Sequence, residues 1–233
     1  MRGDNVAVKG EPQDRALEFS AALWAMEFEN VFNPYRHVCE IHDDEASPGV
    51  RLHNLEIYFA EAFRAMPRTA WIGRDLGYRG GRRTGLPLTD EAHLPSFCVA
   101  FNVDGARKAT TTQTVAERTA AEIWRVIQAI EEPPFLWNAF PFHPHEADAP
   151  LNNRCHTRRE FAACEDLLAA MMEAFDFERI FVLGNDAGRA LERLGLPHTY
   201  VRHPSYGGQT EFRRQMAEAY DLRLEPRQPE LAM

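Results

Sequence analysis

The amino-acid sequence predicts an α/β protein: a three-layer α/β/α sandwich with a central, mostly parallel sheet. Three observations carry this expectation. Short apolar runs of β type, TAWIG (69–73), PFLWNAF (134–140), RIFVLG (179–184) and HTYV (198–201), alternate with segments of helical apolar spacing. Alternation of that kind puts parallel strands beneath helices on both faces. A chain of 233 residues, 45% hydrophobic and 26% charged, suits one sizeable domain, and no internal repeat, low-complexity tract or clear linker divides it.

The elements follow in order. Residues 1–15 are polar and aperiodic and are expected to be mobile. ALEFSAALWAMEFENVF (16–32) has helical spacing, and residues 33–50 are turn-rich and acidic. Residues 1–50 are therefore expected to form an acidic extension and a helix packing on a core domain of residues 51–233. LHNLEIYFAEAFRAM (52–66) reads as an amphipathic helix stopped by Pro67. After the strand 69–73 comes a loop rich in glycine and arginine, reaching Thr89. Thr114 and Glu117 have capping-box spacing ahead of a helix over 114–130. Thr157 and Glu160 repeat that spacing ahead of a helix over 158–175, whose apolar positions Phe161, Cys164, Leu167, Leu168, Met171 and Phe175 share one face. Helices are predicted over 186–195 and 209–220, with strands at 179–184 and 198–201 before them.

Composition narrows the partners. There is no apolar run of membrane-spanning length and no leader of signal-peptide type, so a cytoplasmic protein without a membrane partner is the default expectation. The four cysteines are scattered, without a CxxC pair, which argues against a disulfide framework. The net charge of −9 argues at first against nucleic acid, but its distribution weakens that objection. Residues 1–50 hold 10 acidic and 4 basic residues, whereas RDLGYRGGRR (74–83) holds four arginines against one aspartate. Local patches, not the total, decide partners.

Parallel sheets place function in the loops after their strands. The loop GRDLGYRGGRRTGLPLT (73–89) has five glycines, which let backbone approach a ligand closely, and it matches neither a phosphate-binding nor a dinucleotide-binding glycine pattern. Its Asp75 stands just past the strand, where a carboxylate can orient a water; equally, it can simply pair with a neighbouring arginine. Asn138, in LWNAF, ends a buried strand and can read a planar heterocycle with one donor and one acceptor, or cap the next turn. In VRHPSYGGQT (201–210), Pro204 biases His203 toward an extended conformation at a strand end. A neutral imidazole there can stabilise charge on a leaving group, or be a satisfied structural histidine.

Taken together and in this order, the motifs resemble those of the uracil-DNA glycosylase superfamily. Gly73-Arg74-Asp75-Leu76-Gly77 resembles its first motif, and GLPLT (85–89) its glycine–proline turn and base-stacking position. LWNAF resembles its strand ending in a base-reading asparagine, and HPSYGG its terminal HPS motif. The resemblance spans about residues 52–220. It implies a uracil-DNA glycosylase-like fold and hydrolysis of the N-glycosidic bond of a uracil flipped out of DNA, single- or double-stranded, to free uracil and an abasic site. It implies catalytic roles for Asp75, which places the water, and His203, which holds the uracil oxygen that gains charge. Asn138, Gly73, Arg74, Leu88 and Gly77 would contact uracil. Arg79, Arg82, Arg83, Ser205 and Tyr206 would contact DNA, with Tyr206 filling the gap left by the base and Arg202, Arg213 and Arg214 extending the surface. No metal or cofactor is implied, and members mostly act as monomers.

The sequence departs from the family pattern at three points. Leu76 stands where a proline is usual, Leu88 where an aromatic commonly stacks on uracil, and Gly77 where some members carry a tyrosine that excludes thymine. Tyr78, Trp137 and Phe140 are the alternative stacking rings, Trp137 being placed toward the core. REFAACEDLL (159–168) resembles the segment bearing the last cysteine of the iron–sulfur members, but without a CxxC no cluster is expected. Two rival readings stand beside this one. FHPHEADAPLNNRCH (142–156) brings His143, His145, Glu146, Asp148 and His156 into one loop, as a metal-dependent hydrolase would. A relative that binds uracil or DNA without catalysis would also fit Leu76 and Leu88.

Overall fold

Four apolar segments form the sheet: β2 (Thr69–Asp75), β3 (Phe135–Phe140), β5 (Arg179–Leu183) and β6 (Thr199–Val201), all parallel in the order β3-β2-β5-β6. A separate antiparallel pair joins β1 (Val31–Phe32) to β4 (His143–Pro144). The computed structural model describes residues 10–223. The helices are α1 (Pro12–Ala25), α2 (Ser47–Ala65), α3 (Gly81–Thr84), α4 (Leu94–Phe101), α5 (Arg118–Ile127), α6 (Arg158–Phe175), α7 (Asn185–Arg193) and α8 (Gln209–Tyr220).

Period-two alternation sorts the strand residues between two layers. Phe135 meets Phe59 of α2 and Phe175 of α6 on one face, while Trp71 meets Phe212 and Tyr220 of α8 on the other. At the free edge of β3 the Tyr58 hydroxyl donates to the Leu136 carbonyl and accepts from its N–H, satisfying that residue's ladder groups. The result is the predicted three-layer α/β/α sandwich. No helix among the described residues is long and apolar enough to cross a membrane.

Several boundaries differ from expectation, each for a physical reason. Of the tail 1–15, residues 1–9 lie outside the described residues, and Pro12 opens α1, whose first turn proline suits. α1 ends at Ala25, and the chain continues extended through Met26 to pair β1 with β4. α2 starts at Ser47, five residues early. α5 opens later than predicted because the Thr114–Glu117 capping box does not form. The Glu117 N–H goes instead to buried Asp90 (2.6 Å), a carboxylate that out-competes a threonine hydroxyl. The Thr157–Glu160 box does form, with both reciprocal bonds. α4 was not anticipated: LPSFCVAF is too short and too uniformly apolar to show a period.

Residues 12–50 pack on the sheet domain through buried polar contacts. Arg51 is 1% exposed; it pairs with Asp43 and donates to the carbonyls of Pro34 and His37. Tyr35 donates to the Gly85 carbonyl (3.1 Å), and Asn54 to that of Thr84 (2.9 Å). The glycine loop is thus braced from the N-terminal side. Gly85 has φ +73°, and a β-carbon there would lie 2.6 Å from the Arg51 carbonyl oxygen, so nothing larger fits.

Candidate active site

Because all four sheet strands are parallel, Asp75, Asn138, Gly184 and His203 arrive at one edge. The register sets Gly73 directly opposite Asn138. A β-carbon on Gly73 would lie 2.6 Å from Asn138 Nδ2 and 2.9 Å from Leu88 Cδ2, so only glycine lets the amide and the branched apolar side chain pack this close to the strand. Leu88 is half-buried with φ +54°, a left-handed backbone that a leucine rarely adopts. Asn138 is 1% exposed; its Nδ2 donates to the Asp75 carbonyl (3.0 Å), while its Oδ1 is buried with no partner. An orphaned buried acceptor costs about 1–3 kcal/mol, so it marks a place where a ligand donor is missing.

Asp75 has a 4% exposed side chain. Oδ2 accepts from Arg74 Nε (2.5 Å), and Oδ1 pairs with His156 Nδ1. Arg74 continues to Asp186 in the first turn of α7 (3.1 Å). The simpler sequence reading of Asp75, as a partner of a nearby arginine, therefore describes one of its two contacts. Leu76, at the position where proline is usual, uses the N–H a proline lacks: it donates to the Phe142 carbonyl (3.0 Å), and the side chain is buried against Gly81. Gly77 lies against the Glu117 carboxyl, not beneath an aromatic ring. Burial, then the nearby Asp90 charge, raises the pKa of Glu117 above the usual carboxylate range, with Arg79 opposing.

His203 is held by its own loop. The Ser205 N–H donates to His203 Nδ1 (3.2 Å), and Ser205 Oγ lies 2.7 Å from the same nitrogen. A backbone N–H can only donate, so Nδ1 is the acceptor and the ring proton sits on Nε2. Burial, then the charges of Arg74 and Arg202, lowers its pKa to about 4, which leaves a neutral imidazole at neutral pH. A β-carbon on Gly208 would come 2.1 Å from the His203 carbonyl oxygen, so the loop closes only over glycine.

The arginines divide differently from expectation. Arg79 is exposed. Arg82 and Arg83, expected at DNA, are 4% and 3% exposed and cannot touch a phosphate. Arg82 donates to His143 Nδ1, the Pro150 carbonyl and Cys39 Sγ and lies over Phe32; Arg83 pairs with Glu91 and donates to Thr110 and Thr112. The correction has a plain cause: α3 turns both inward, Arg82 against Phe32 and Cys39 and Arg83 against Glu91 and residues 110–113. Arg213 and Arg214 are matched by Glu122, Glu211 and Glu218, so they add little net charge to the surface. Ser205 directs both its N–H and its hydroxyl at His203 Nδ1. Tyr206 is 96% exposed at φ +49° and projects beside the edge where the motifs gather. Of the stacking candidates, Trp137 lies in the core against Phe59 and Phe135, Phe140 is fully buried, and Tyr78 is half-buried beneath Arg79.

The histidine loop does not assemble a metal centre. His143 is fully buried between Arg82 and Asn153, and its pKa is lowered to about 3 by burial, then by Arg82. His145 bonds the Glu146 carbonyl. Among the described residues no three His, Cys, Asp or Glu side chains gather as ligands. What sequence reading missed is His156 against Asp75; its only signal was a histidine directly before the capping box of α6. A hollow of about 540 Å³ lies at the far end of β5 and β6, lined by Phe177, Ile180, Leu194 and Pro197, away from these residues.

The model of the uracil DNA glycosylase superfamily matches residues 61–223. The crystal structure of wild-type SMUG2 from Pedobacter heparinus has a similar fold, with a TM-score of 0.59 and 14% identity, covering 89% of this chain and 96% of that one. No curated protein sequence matches the chain. With its motifs brought to one sheet edge and most of its length matched, the chain belongs to the uracil DNA glycosylase superfamily, the glycosidases of base-excision repair.

Proposed function

We propose that this protein excises uracil from DNA, hydrolysing the N-glycosidic bond to leave an abasic site. The observation that carries the reading is the buried, unpartnered Asn138 Oδ1, on an amide packed against Gly73. Uracil supplies the missing group: its N3–H donates to that oxygen, while the adjacent O4 accepts from an amide N–H. Cytosine, with an acceptor at N3 and an amine at C4, presents the opposite pattern.

The other residues fit around it. Asp75, buried and paired with Arg74, orients the attacking water and offsets the positive charge developing on the sugar. Neutral His203 donates Nε2–H toward the uracil oxygen that becomes negative as the bond breaks. A preorganised donor of this kind contributes about 3–4 kcal/mol. Leu88 packs on the base where an aromatic ring would stack. Arg79 meets phosphate, the salt-sensitive part of binding. Tyr206 fills the gap in the duplex after the base leaves it.

Incubation with an oligonucleotide bearing one uracil, in EDTA, followed by alkaline cleavage, tests the reading. Cleavage slowed by orders of magnitude in Asp75→Ala and His203→Ala supports it. Intact oligonucleotide in every strand context refutes it.

A further inference from the structure

His156 is the one histidine at this sheet edge that the reading above does not employ. Its ring stands between Phe140 (centroids 5.4 Å apart) and Phe161 (5.6 Å, planes 26° apart), and its side chain is 13% exposed. The backbone is pinned on both sides of it. Arg154 donates to the His145 and Asn30 carbonyls and pairs with Glu160. Thr157 caps α6 in a reciprocal box with that same Glu160. A ring so confined has few rotamers, and Nδ1 is directed at Asp75 Oδ1.

We propose that His156 is a positioning residue for Asp75, fixing the carboxylate so that its unfilled lone pairs hold the attacking water. The proposal rests on the role given to Asp75 above. An ionised carboxylate offers about four acceptor positions. Arg74 fills one on Oδ2 and His156 one on Oδ1, so the carboxylate plane is set from both sides. Arg74 cannot do this alone: its side chain is 32% exposed and shared with Asp186. The two histidines then have complementary tautomers. His203 accepts at Nδ1 and donates from Nε2; His156 donates from Nδ1 to a carboxylate that can only accept.

Single-turnover excision of uracil by the full chain tests this. His156→Ala should slow excision about 10²-fold, the scale of a misplaced catalytic group, with DNA affinity unchanged. His156→Asn, whose amide N–H reproduces the Nδ1 donor, should recover most of the loss. In an Asp75→Ala background, His156→Ala should add nothing. An equal loss in both backgrounds, or Asn no better than Ala, overturns the proposal. Imidazole ¹⁵N spectra of the wild-type protein give a readout free of activity. A proton on His156 Nδ1 that changes in Asp75→Ala supports the pairing, and an Nδ1 without a proton, or one indifferent to Asp75, overturns it. If the wild-type protein releases no uracil, the functional reading fails, and the spectra still decide whether His156 holds Asp75.

Discussion

Acidification from pH 7 to pH 5 should destabilise this protein through two buried neutral histidines, His143 and His203. Their folded pKa values are lowered to about 3 and about 4, against about 6.5 in an unfolded chain. The unfolded state therefore binds protons in this window that the folded state refuses, and stability falls with pH. From those values each histidine withdraws about 2 kcal/mol, together about 4 kcal/mol, out of a typical 5–15 kcal/mol. Glu117, whose pKa is raised, works the other way and offsets part of the loss. For His143 the cause is explicit. Arg82 Nη1 can only donate, so Nδ1 must accept at 2.9 Å, and protonating it would replace that bond with two cations in contact. Urea unfolding at both pH values should show the loss in the wild-type protein, and His143→Asn should lose about 2 kcal/mol less. An identical loss in wild type and His143→Asn would refute the assignment of His143 as a buried neutral acceptor.

Other outcomes follow from the same structure. Arg79→Ala should leave stability within about 0.5 kcal/mol and lower the salt dependence of DNA binding by about one counterion. Arg82→Ala should instead destabilise by on the order of 3 kcal/mol, because its buried partners lose their donor; thermal melts beside salt titrations distinguish the two. Gly208→Ala should cost about 10²-fold in excision by displacing His203, with a far smaller effect on melting temperature. Tyr206→Ala should weaken duplex binding about tenfold, the scale of one stacking contact, and leave single-strand binding unchanged, as fluorescence anisotropy would show.

What was legible in the sequence was whatever is local. The buried strand bearing Asn138, the HPS turn and the Thr157–Glu160 box are each written within a few residues; each forms, although the strand runs two residues past Asn138, to Phe140. What was illegible depends on partners distant in the chain. The Thr114–Glu117 box failed because Asp90, 27 residues before Glu117, took its N–H. Arg82 and Arg83 looked like surface cations because nothing in RGGRR shows that Phe32 and Cys39 cover the first and Glu91, Thr110 and Thr112 the second. His156 meets Asp75 from 81 residues away, and composition offered a metal loop as the more obvious use for it. The motif order predicts which residues gather at one sheet edge; the tertiary contacts decide which of the nearby charges face outward.

The central claim is that the open acceptor of Asn138 reads the N3–H of uracil at the Asp75–His203 edge. The most direct test is excision from otherwise identical oligonucleotides bearing uracil or 3-methyluracil, in EDTA, with wild type and Asn138→Ala. The account predicts release of uracil by the wild type, loss with Asn138→Ala, and no release of the N3-methylated base. Equal release of uracil and 3-methyluracil, or full activity in Asn138→Ala, would contradict it.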